Sequence, residues 1–368
     1  MILPVDRLKE IKHIGVVGEG KMGTSIFFYL SGYDFRLAWL CSSEAKRDKA
    51  RKTFSKKINL LLQCGVLTEK DYVSKQGKTV ITAAFEDLKD CDLVIEAITE
   101  DIGLKRKLFE SLDKAVNIDC IFTTNSSSVL PLQLFPSENR KDRFCGLHFF
   151  FPVAMKSIVE LIARSSTSLQ TKALLNQFLS RINKKPFHQD EANAFILNRL
   201  FLDFQAGAYQ VFLEGRLSYQ EIDELVRKHL FPIGVFEFFD HVGIDVMLSS
   251  VKTYTKAISN KAFYAPLIEK MEELVKLNHL GIKTKRGFYD YAPLEEEGIK
   301  ATDKATDKAE DKADYKRNVT ERLWDYYIGS VIPVIESGSC SREDLAYAVK
   351  DYMGMDSDPF KLPSFNLL

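Results

Sequence analysis

Charge of either sign is not in excess in this 368-residue sequence: 51 Lys and Arg face 51 Asp and Glu, for a formal net charge of zero. Polyanion binding over the whole surface is thereby excluded, because neutralising phosphates needs a basic surplus; a local basic patch is not. Nucleic acid is therefore not an expected partner. Apolar runs are short, and none approaches the roughly 18 residues of a membrane span. The first residues, Met1-Ile2-Leu3-Pro4-Val5-Asp6-Arg7, lack the basic-then-apolar order of a secretory signal and the Arg- and Ser-rich pattern of a transit peptide. Cysteines are few and scattered (Cys41, Cys64, Cys91, Cys120, Cys145 and Cys340), with no Cys-x-x-Cys pair. They read as free thiols of a reducing compartment, and a cytoplasmic location is expected. The six histidines form no His-x-x-x-His pair, so a metal site has no sequence support.

What is present is an ordinary globular composition, 45% hydrophobic and 28% charged. The length predicts about two to three domains at roughly 150 residues each. Ile11–Val17, Phe35–Cys41, Thr79–Thr82, Asp92–Ile98 and Ile121–Thr124 are short, β-prone runs. Helical patterns separate them, among them Met22–Leu30 and Ile102–Lys114. Near-continuous apolar strands alternating with helices predict a parallel α/β sheet. Cys145–Phe151 and Ile158–Ile162 add two strand-like pieces. From about Gln189 the texture changes to long 3.6-period segments, such as Ala194–Glu214 and Ser218–His229, which predict an all-helical second domain.

Asp303–Asp314 reads DKATDKAEDKAD and offers no apolar face, as a solvated linker or an exposed helix would. Beyond it the chain repeats. A shift of 123 residues lays Asn198-Arg199-Leu200-Phe201 on Glu321-Arg322-Leu323-Trp324, Ser218 on Ser341, Glu221 on Asp344 and Val226 on Val349. Each copy reads as a helix, a turn with Gly, a Ser cap with an acid three residues on, and a second helix. The matched turn and cap favour duplication over chance likeness of two amphipathic pairs.

Gly18-x-Gly20-x-x-Gly23 follows a predicted strand and opens a predicted helix. Gly18 permits the turn, Gly20 lets backbone approach a pyrophosphate, and Gly23 lets helix and strand pack closely. Lys21 and Met22 begin the helix, whose free N–H groups and dipole favour phosphate. In this context the motif predicts dinucleotide binding rather than a structural turn alone. An Asp or Glu is normally expected about 20 residues on, to hold the ribose hydroxyls. Here the second strand ends Trp39-Leu40-Cys41-Ser42-Ser43, and Glu44 is the nearest acid in sequence. Ser42, Ser43, Lys46 and Arg47 are residue types that accept a ribose 2′-phosphate. Three readings follow: NADPH is preferred, NADH binds without the usual anchor, or cofactor binding is weakened. Lys46, Arg47, Lys49, Arg51, Lys52, Lys56 and Lys57 set seven bases against Asp48. They make either a solvated helix face or a seat for the phosphates of a CoA-like substrate.

Several motifs in order now resemble the L-3-hydroxyacyl-CoA dehydrogenases, including the 3-hydroxybutyryl-CoA enzymes: Asn125-Ser126-Ser127-Ser128, Gly146-Leu147-His148-Phe149-Phe150-Phe151-Pro152, Val159-Glu160 and Phe195-Ile196-Leu197-Asn198-Arg199. Asp92-Leu93-Val94-Ile95-Glu96-Ala97, Glu100, Lys105 and Gly281-x-Lys283-Thr284-x-x-Gly287-Phe288-Tyr289 extend the likeness over roughly residues 11 to 291. The piece beyond is similar to the second helical copy of the family's multifunctional members. The resemblance implies a Rossmann-like NAD(P)-binding domain (1–188), an all-α C-terminal dehydrogenase domain (189–292), a charged linker (293–314) and a partial second copy (315–368). It implies reversible oxidation of a 3-hydroxyacyl-CoA to the 3-oxoacyl-CoA, as in fatty-acid β-oxidation, with NAD or NADP. His148 would be the general base, and a proton shuttle near neutrality suits imidazole. Glu160 would fix its tautomer, Ser127 would bond the substrate oxygen beside the nicotinamide, and Asn198 would orient the thioester or the histidine. Glu100, Lys105 and Lys283 would line the cofactor site, and Lys49 and Lys56 the CoA phosphates. Single-copy relatives pair their helical domains between subunits, so a second copy in one chain implies either a monomer with an internal pseudo-dimer or a homodimer.

The sequence departs from that pattern mainly at cofactor contacts. Cys41 stands where the ribose acid is expected, and Phe151 replaces an Asn on the nicotinamide side. Losing that hydrogen bond would cost about 1–3 kcal/mol. Lys285-Arg286 adds positive charge beside Lys283. The proton-transfer set is intact, which favours an altered enzyme. Competing readings are a 3-hydroxy-acid or carnitine-type dehydrogenase without CoA, and a weakened relative that only binds acyl-CoA or a nucleotide. Residues 1–10 leave no room for a hydratase or thiolase segment, so one reaction step is expected.

Overall fold

The computed structural model describes residues 10–134, 138–258, 260–291 and 309–361. The chain parts into two compact units, Met1–Ala194 and Phe195–Leu368. The boundary expected at residue 188 falls inside a strand of the first unit.

In the first unit β1 (His13–Val17) leads through α1 (Lys21–Leu30) to β2 (Arg36–Leu40), then through α2 (Glu44–Gln63) and α3 (Glu69–Gly77) to β3 (Thr79–Thr82). Next come β4 (Leu93–Glu96), α4 (Ile102–Ala115), β5 (Ile121–Thr124), a one-turn helix α5 (Pro131–Leu134), β6 (Phe144–Phe149), β7 (Ile158–Ala163), α6 (Leu169–Arg181) and β8 (Lys185–Asp190). One eight-stranded sheet takes the order β3-β2-β1-β4-β5-β6-β7-β8. Every residue of β4, β5 and β6 is buried, as continuous apolar strands covered on both faces must be. On α1 the buried residues Gly23, Ile26, Phe27 and Leu30 recur at one face of a 3.6-period helix, and Phe27 stacks on Trp39 at 4.2 Å between centroids. Asp101 caps α4 by accepting from the Leu104 N–H.

The strand pattern alone predicts a parallel sheet, but the sheet is not wholly parallel. β6 and β7 pair antiparallel, and β8 then runs parallel to β7. The segment between β6 and β7 contains Pro152 and no helix, and it is shorter than the dozen or so residues a parallel crossover needs. β8, α3 and α6 were not legible in the pattern. β8 carries Lys185, Pro186 and Asp190 and alternates exposed with buried residues, as suits a sheet edge.

The second unit is all helical: α7 (Ile196–Leu200), α8 (Leu202–Leu213), α9 (Tyr219–His229), α10 (Val235–Val242), α11 (Ile244–Tyr254), α12 (Lys261–Lys276), α13 (Ala309–Glu336) and α14 (Arg342–Met353). The single helical pattern expected over 194–214 is broken at Phe201, whose ring lies 5.2 Å from Phe231, 5.3 Å from Tyr327 and 5.8 Å from Tyr352. Of the expected linker, 293–308 lies outside the described residues, and 309–314 opens α13. α13 packs on α8, where Arg322 pairs with Glu214 at 2.6 Å and Ser330 Oγ donates to Asp203 at 2.9 Å. Gly215 (φ 75°) and Gly338 (φ 68°) turn the chain ahead of α9 and α14, and Ser218 and Ser341 cap those two helices.

Candidate active site

Strand order in the first unit reverses between β1 and β4, and sheets of this kind bind ligands outside the carboxyl ends of the strands at that point. The loop Gly18–Gly23 and the start of α1 lie there. Gly18 has φ 110°, and a Cβ on Gly23 would stand 2.1 Å from the Gly18 carbonyl oxygen. Only glycines let the loop lie this close to the helix. A Cβ on Gly20 would meet nothing within 4 Å, so the backbone there is open. No side chain caps α1, whose first-turn N–H groups face that opening. These residues fit the pyrophosphate of a dinucleotide. Lys21 Nζ sits 4.1 Å above the Phe151 ring, so this aromatic offers a cation-binding face and not apolar contact alone. The loop beyond Phe151 is tied down by Lys184, whose ammonium donates to the carbonyls of Val153 and Lys156, both at 2.5 Å.

Next along the carboxyl edge is a buried charge cluster. Lys105 is 1% exposed, and its Nζ lies 2.6 Å from Glu96 and 3.1 Å from Glu100. Glu96 also accepts from Thr124 Oγ1 at 2.6 Å and the Ile98 N–H at 2.7 Å. Glu100 Oε1 accepts from Ser126 Oγ (2.5 Å), the Ser127 N–H (2.9 Å) and Ser128 Oγ (3.1 Å). Burial pushes the Glu100 carboxyl up; the Lys105 charge and these hydrogen bonds outweigh it and hold the group below the usual carboxylate range. Taken singly in the sequence, Lys105 reads as a surface charge; in the structure it is the buried counter-ion that holds the Ser127 loop. That loop is tied to β6 as well, through the Phe149 N–H donating to Asn125 Oδ1 at 2.8 Å.

The hairpin β6–β7 explains a spacing of twelve. Its register sets His148 directly opposite Glu160, and Nδ1 lies 2.7 Å from Glu160 Oε2. Both are buried. A carboxylate only accepts, so Nδ1 carries the proton and donates, leaving Nε2 as the basic nitrogen. The second Glu160 oxygen accepts from Gln189 Nε2 at 2.8 Å, a residue that sequence reading missed. Gln189 comes from β8, two strands from His148, and no local signal marks it. The Phe150 ring packs 4.5 Å from the imidazole.

Not every expected residue of the first unit belongs to this cluster. Cys41 is buried with Trp39 and Phe54 in the sheet core. Ser42, just beyond it, is bonded to Glu19. Lys49 and Lys56 stand exposed on α2. Asn198 and Lys283 lie in the second unit. There Asn198 donates to Tyr254 Oη at 3.1 Å and accepts from Tyr352 Oη at 3.3 Å, and Lys283 pairs with Asp245 at 2.5 Å. Among the described residues no cluster of His, Cys, Asp and Glu is arranged to hold a metal ion.

Residues 13–192 match the NAD-binding domain of 3-hydroxyacyl-CoA dehydrogenase, and residues 195–291 match the C-terminal domain of the same family. A 3-hydroxybutyryl-CoA dehydrogenase of Clostridioides difficile is 34% identical over 284 residues, covering 76% of this chain and 99% of that protein. The human mitochondrial hydroxyacyl-coenzyme A dehydrogenase is 32% identical over 292 residues, covering 76% of this chain and 91% of that one. The crystal structure of (S)-3-hydroxybutyryl-CoA dehydrogenase from Ralstonia eutropha is similar at TM-score 0.69 and 32% identity, over 77% of this chain and 100% of that one. A 3-hydroxybutyryl-CoA dehydrogenase from Escherichia coli, 20% identical, shares the fold at TM-score 0.77 over 95% of this chain and 90% of its own. With both domain models matched in order, the chain belongs to the 3-hydroxyacyl-CoA dehydrogenase family.

Proposed function

We propose that the protein interconverts (S)-3-hydroxyacyl-CoA and 3-oxoacyl-CoA. The observation that carries this reading is the in-register His148–Glu160 pair on the β6–β7 hairpin, with the Ser127 loop tied to the same strand. A nicotinamide cofactor, when bound, accepts or delivers the hydride at C3. The chain's own residues handle the proton. In oxidation His148 Nε2 takes the proton from the C3 hydroxyl; in reduction it returns one to the oxygen of the 3-oxo group. Glu160 keeps Nδ1 protonated and stabilises the imidazolium formed meanwhile. Ser127 is half-buried and bonds the substrate oxygen, Asn198 orients the thioester or the imidazole, and Glu100 and Lys105 set the Ser127 loop beside the cofactor. Lys283 is assigned to the cofactor side, and Lys49 and Lys56 to the phosphates of CoA. A cytoplasmic location and a role in acyl-CoA breakdown accompany this reading.

Acetoacetyl-CoA and free acetoacetate separate the readings. Binding energy from the CoA moiety is spent at the reacting carbon, so the thioester should turn over about a hundredfold faster or more. Equal rates would make the protein a 3-hydroxy-acid dehydrogenase, and binding without turnover would make it a binding relative. A smaller effect is expected at Gln189. Gln189→Leu leaves a buried Glu160 oxygen short of a donor, at a cost of about 1–3 kcal/mol. The expectation is a fall of about tenfold or more in kcat with KM nearly unchanged, measured by steady-state kinetics; an unchanged kcat would remove Gln189 from the positioning of the pair.

The segment α13–α14 is read as a partial second copy of α8–α9 that covers a surface single-copy relatives would use between subunits. Light scattering should then give a mass near the 42.0 kDa of one chain, and twice that value would favour the homodimer.

A further inference from the structure

Glu19 stands between two glycines of the phosphate loop, and its side chain reaches the end of β2. There its carboxylate accepts from the Ser42 N–H at 3.1 Å and from Ser42 Oγ at 2.6 Å. The carboxyl end of β2 is where a dinucleotide fold presents an acid to the ribose diol. Cys41, which stands there in sequence, turns into the core beside Trp39 and Phe54. The strand end therefore has no acid of its own and receives one from the loop. Burial, and next the charge of Glu19, push the Cys41 thiol up to about 11.

We infer that Glu19 is the ribose-recognition acid of this protein and that it selects NADH over NADPH. This rests on the dehydrogenase reading for the presence of a nicotinamide cofactor. Ser42 takes one lone pair on each Glu19 oxygen and holds the carboxylate in place, which leaves acceptors for both ribose hydroxyls. A 2′-phosphate has charge of the same sign and no hydrogen to donate at neutral pH. Three of the groups that would welcome it are already engaged. Arg47 pairs with Glu44 and with Asp48, Arg51 Nε donates to the Ile81 carbonyl at 2.9 Å, and Ser43 Oγ accepts the Lys46 N–H at the start of α2. The Ser42, Ser43, Lys46, Arg47 sequence, which by residue type suits a 2′-phosphate, is thus organised around an acid.

The test is a fluorescence titration of the full chain with NADH and with NADPH, without substrate. The unaltered protein should bind NADH at least about tenfold more tightly, as expected for hydrogen bonds to a charged acceptor. Glu19→Gln should weaken NADH by about tenfold and bring the two affinities together. Ser42→Ala, which removes the Oγ bond to Glu19 and keeps the backbone N–H bond, should weaken NADH by about threefold. Equal affinity or a preference for NADPH in the unaltered protein overturns the inference alone. So does Glu19→Gln binding NADH as tightly or more tightly, since Glu19 would then be a plug and not a ligand. No binding of either nucleotide to the unaltered, folded protein overturns the dehydrogenase reading and this inference with it.

Discussion

His148→Gln is expected to lower kcat by about 10²–10⁴-fold, the range that a positioned acid–base group contributes. Glutamine fills similar space and keeps a hydrogen bond to Glu160, so the hairpin should persist, but its amide has no basic nitrogen to take the hydroxyl proton. Nucleotide affinity should stay within about twofold of the unaltered protein, because the loop Gly18–Gly23 and Glu19 are built from other strands. The two readouts are steady-state turnover and nucleotide titration. Full activity in the variant would remove His148 from proton transfer. Loss of nucleotide binding along with turnover would point to a general collapse of the site.

Lys105→Met is expected to have the largest effect on stability. The methionine side chain fits the volume but leaves Glu96 and Glu100 without their shared cation. Breaking a buried pair from one side costs about 3–5 kcal/mol, because an uncompensated charge remains. Urea unfolding at pH 7 reads this directly, and a difference below about 1 kcal/mol would contradict it. The sign of the pH dependence is also fixed. The Glu100 carboxyl is held below its unfolded value, so its contribution is present above the unfolded carboxyl pKa of about 4.3 and is lost as pH falls through the folded value. In the variant that carboxyl rises, and acid relieves the unpaired charge. The gap between the two proteins should therefore narrow as pH falls from 7 towards 4, and a gap that widened would contradict the assignment. Activity should fall too, since Glu100 holds Ser126, Ser127 and Ser128 together.

Legibility in the sequence tracked locality. Gly18, Gly20 and Gly23 are read from six consecutive positions, and a strand–turn–helix needs little beyond them. The His148–Glu160 spacing is also local, because a short hairpin turns two strands face to face. Contacts made across the sheet left no such trace. Gln189 reaches Glu160 from an edge strand that its proline and charges disguise. Glu19 occupies a position that the glycine fingerprint treats as any residue, and its partner Ser42 stands 23 positions on. Lys105 resembles a surface lysine until the fold closes over it. The break at Phe201 is set by rings from α13, α14 and the turn after α9, which no window of neighbouring residues contains. In each case burial or pairing was decided by residues distant in sequence, and composition and periodicity do not carry that information.

Incubation of the full chain with acetoacetyl-CoA and NADH, followed together by absorbance and by mass spectrometry of the thioester, tests the central claim most directly. One 3-hydroxybutyryl-CoA should form for each NADH consumed, and His148→Gln should form it at a small fraction of that rate. Nucleotide binding with no reduced thioester formed, or equal rates in the two proteins, would contradict the account.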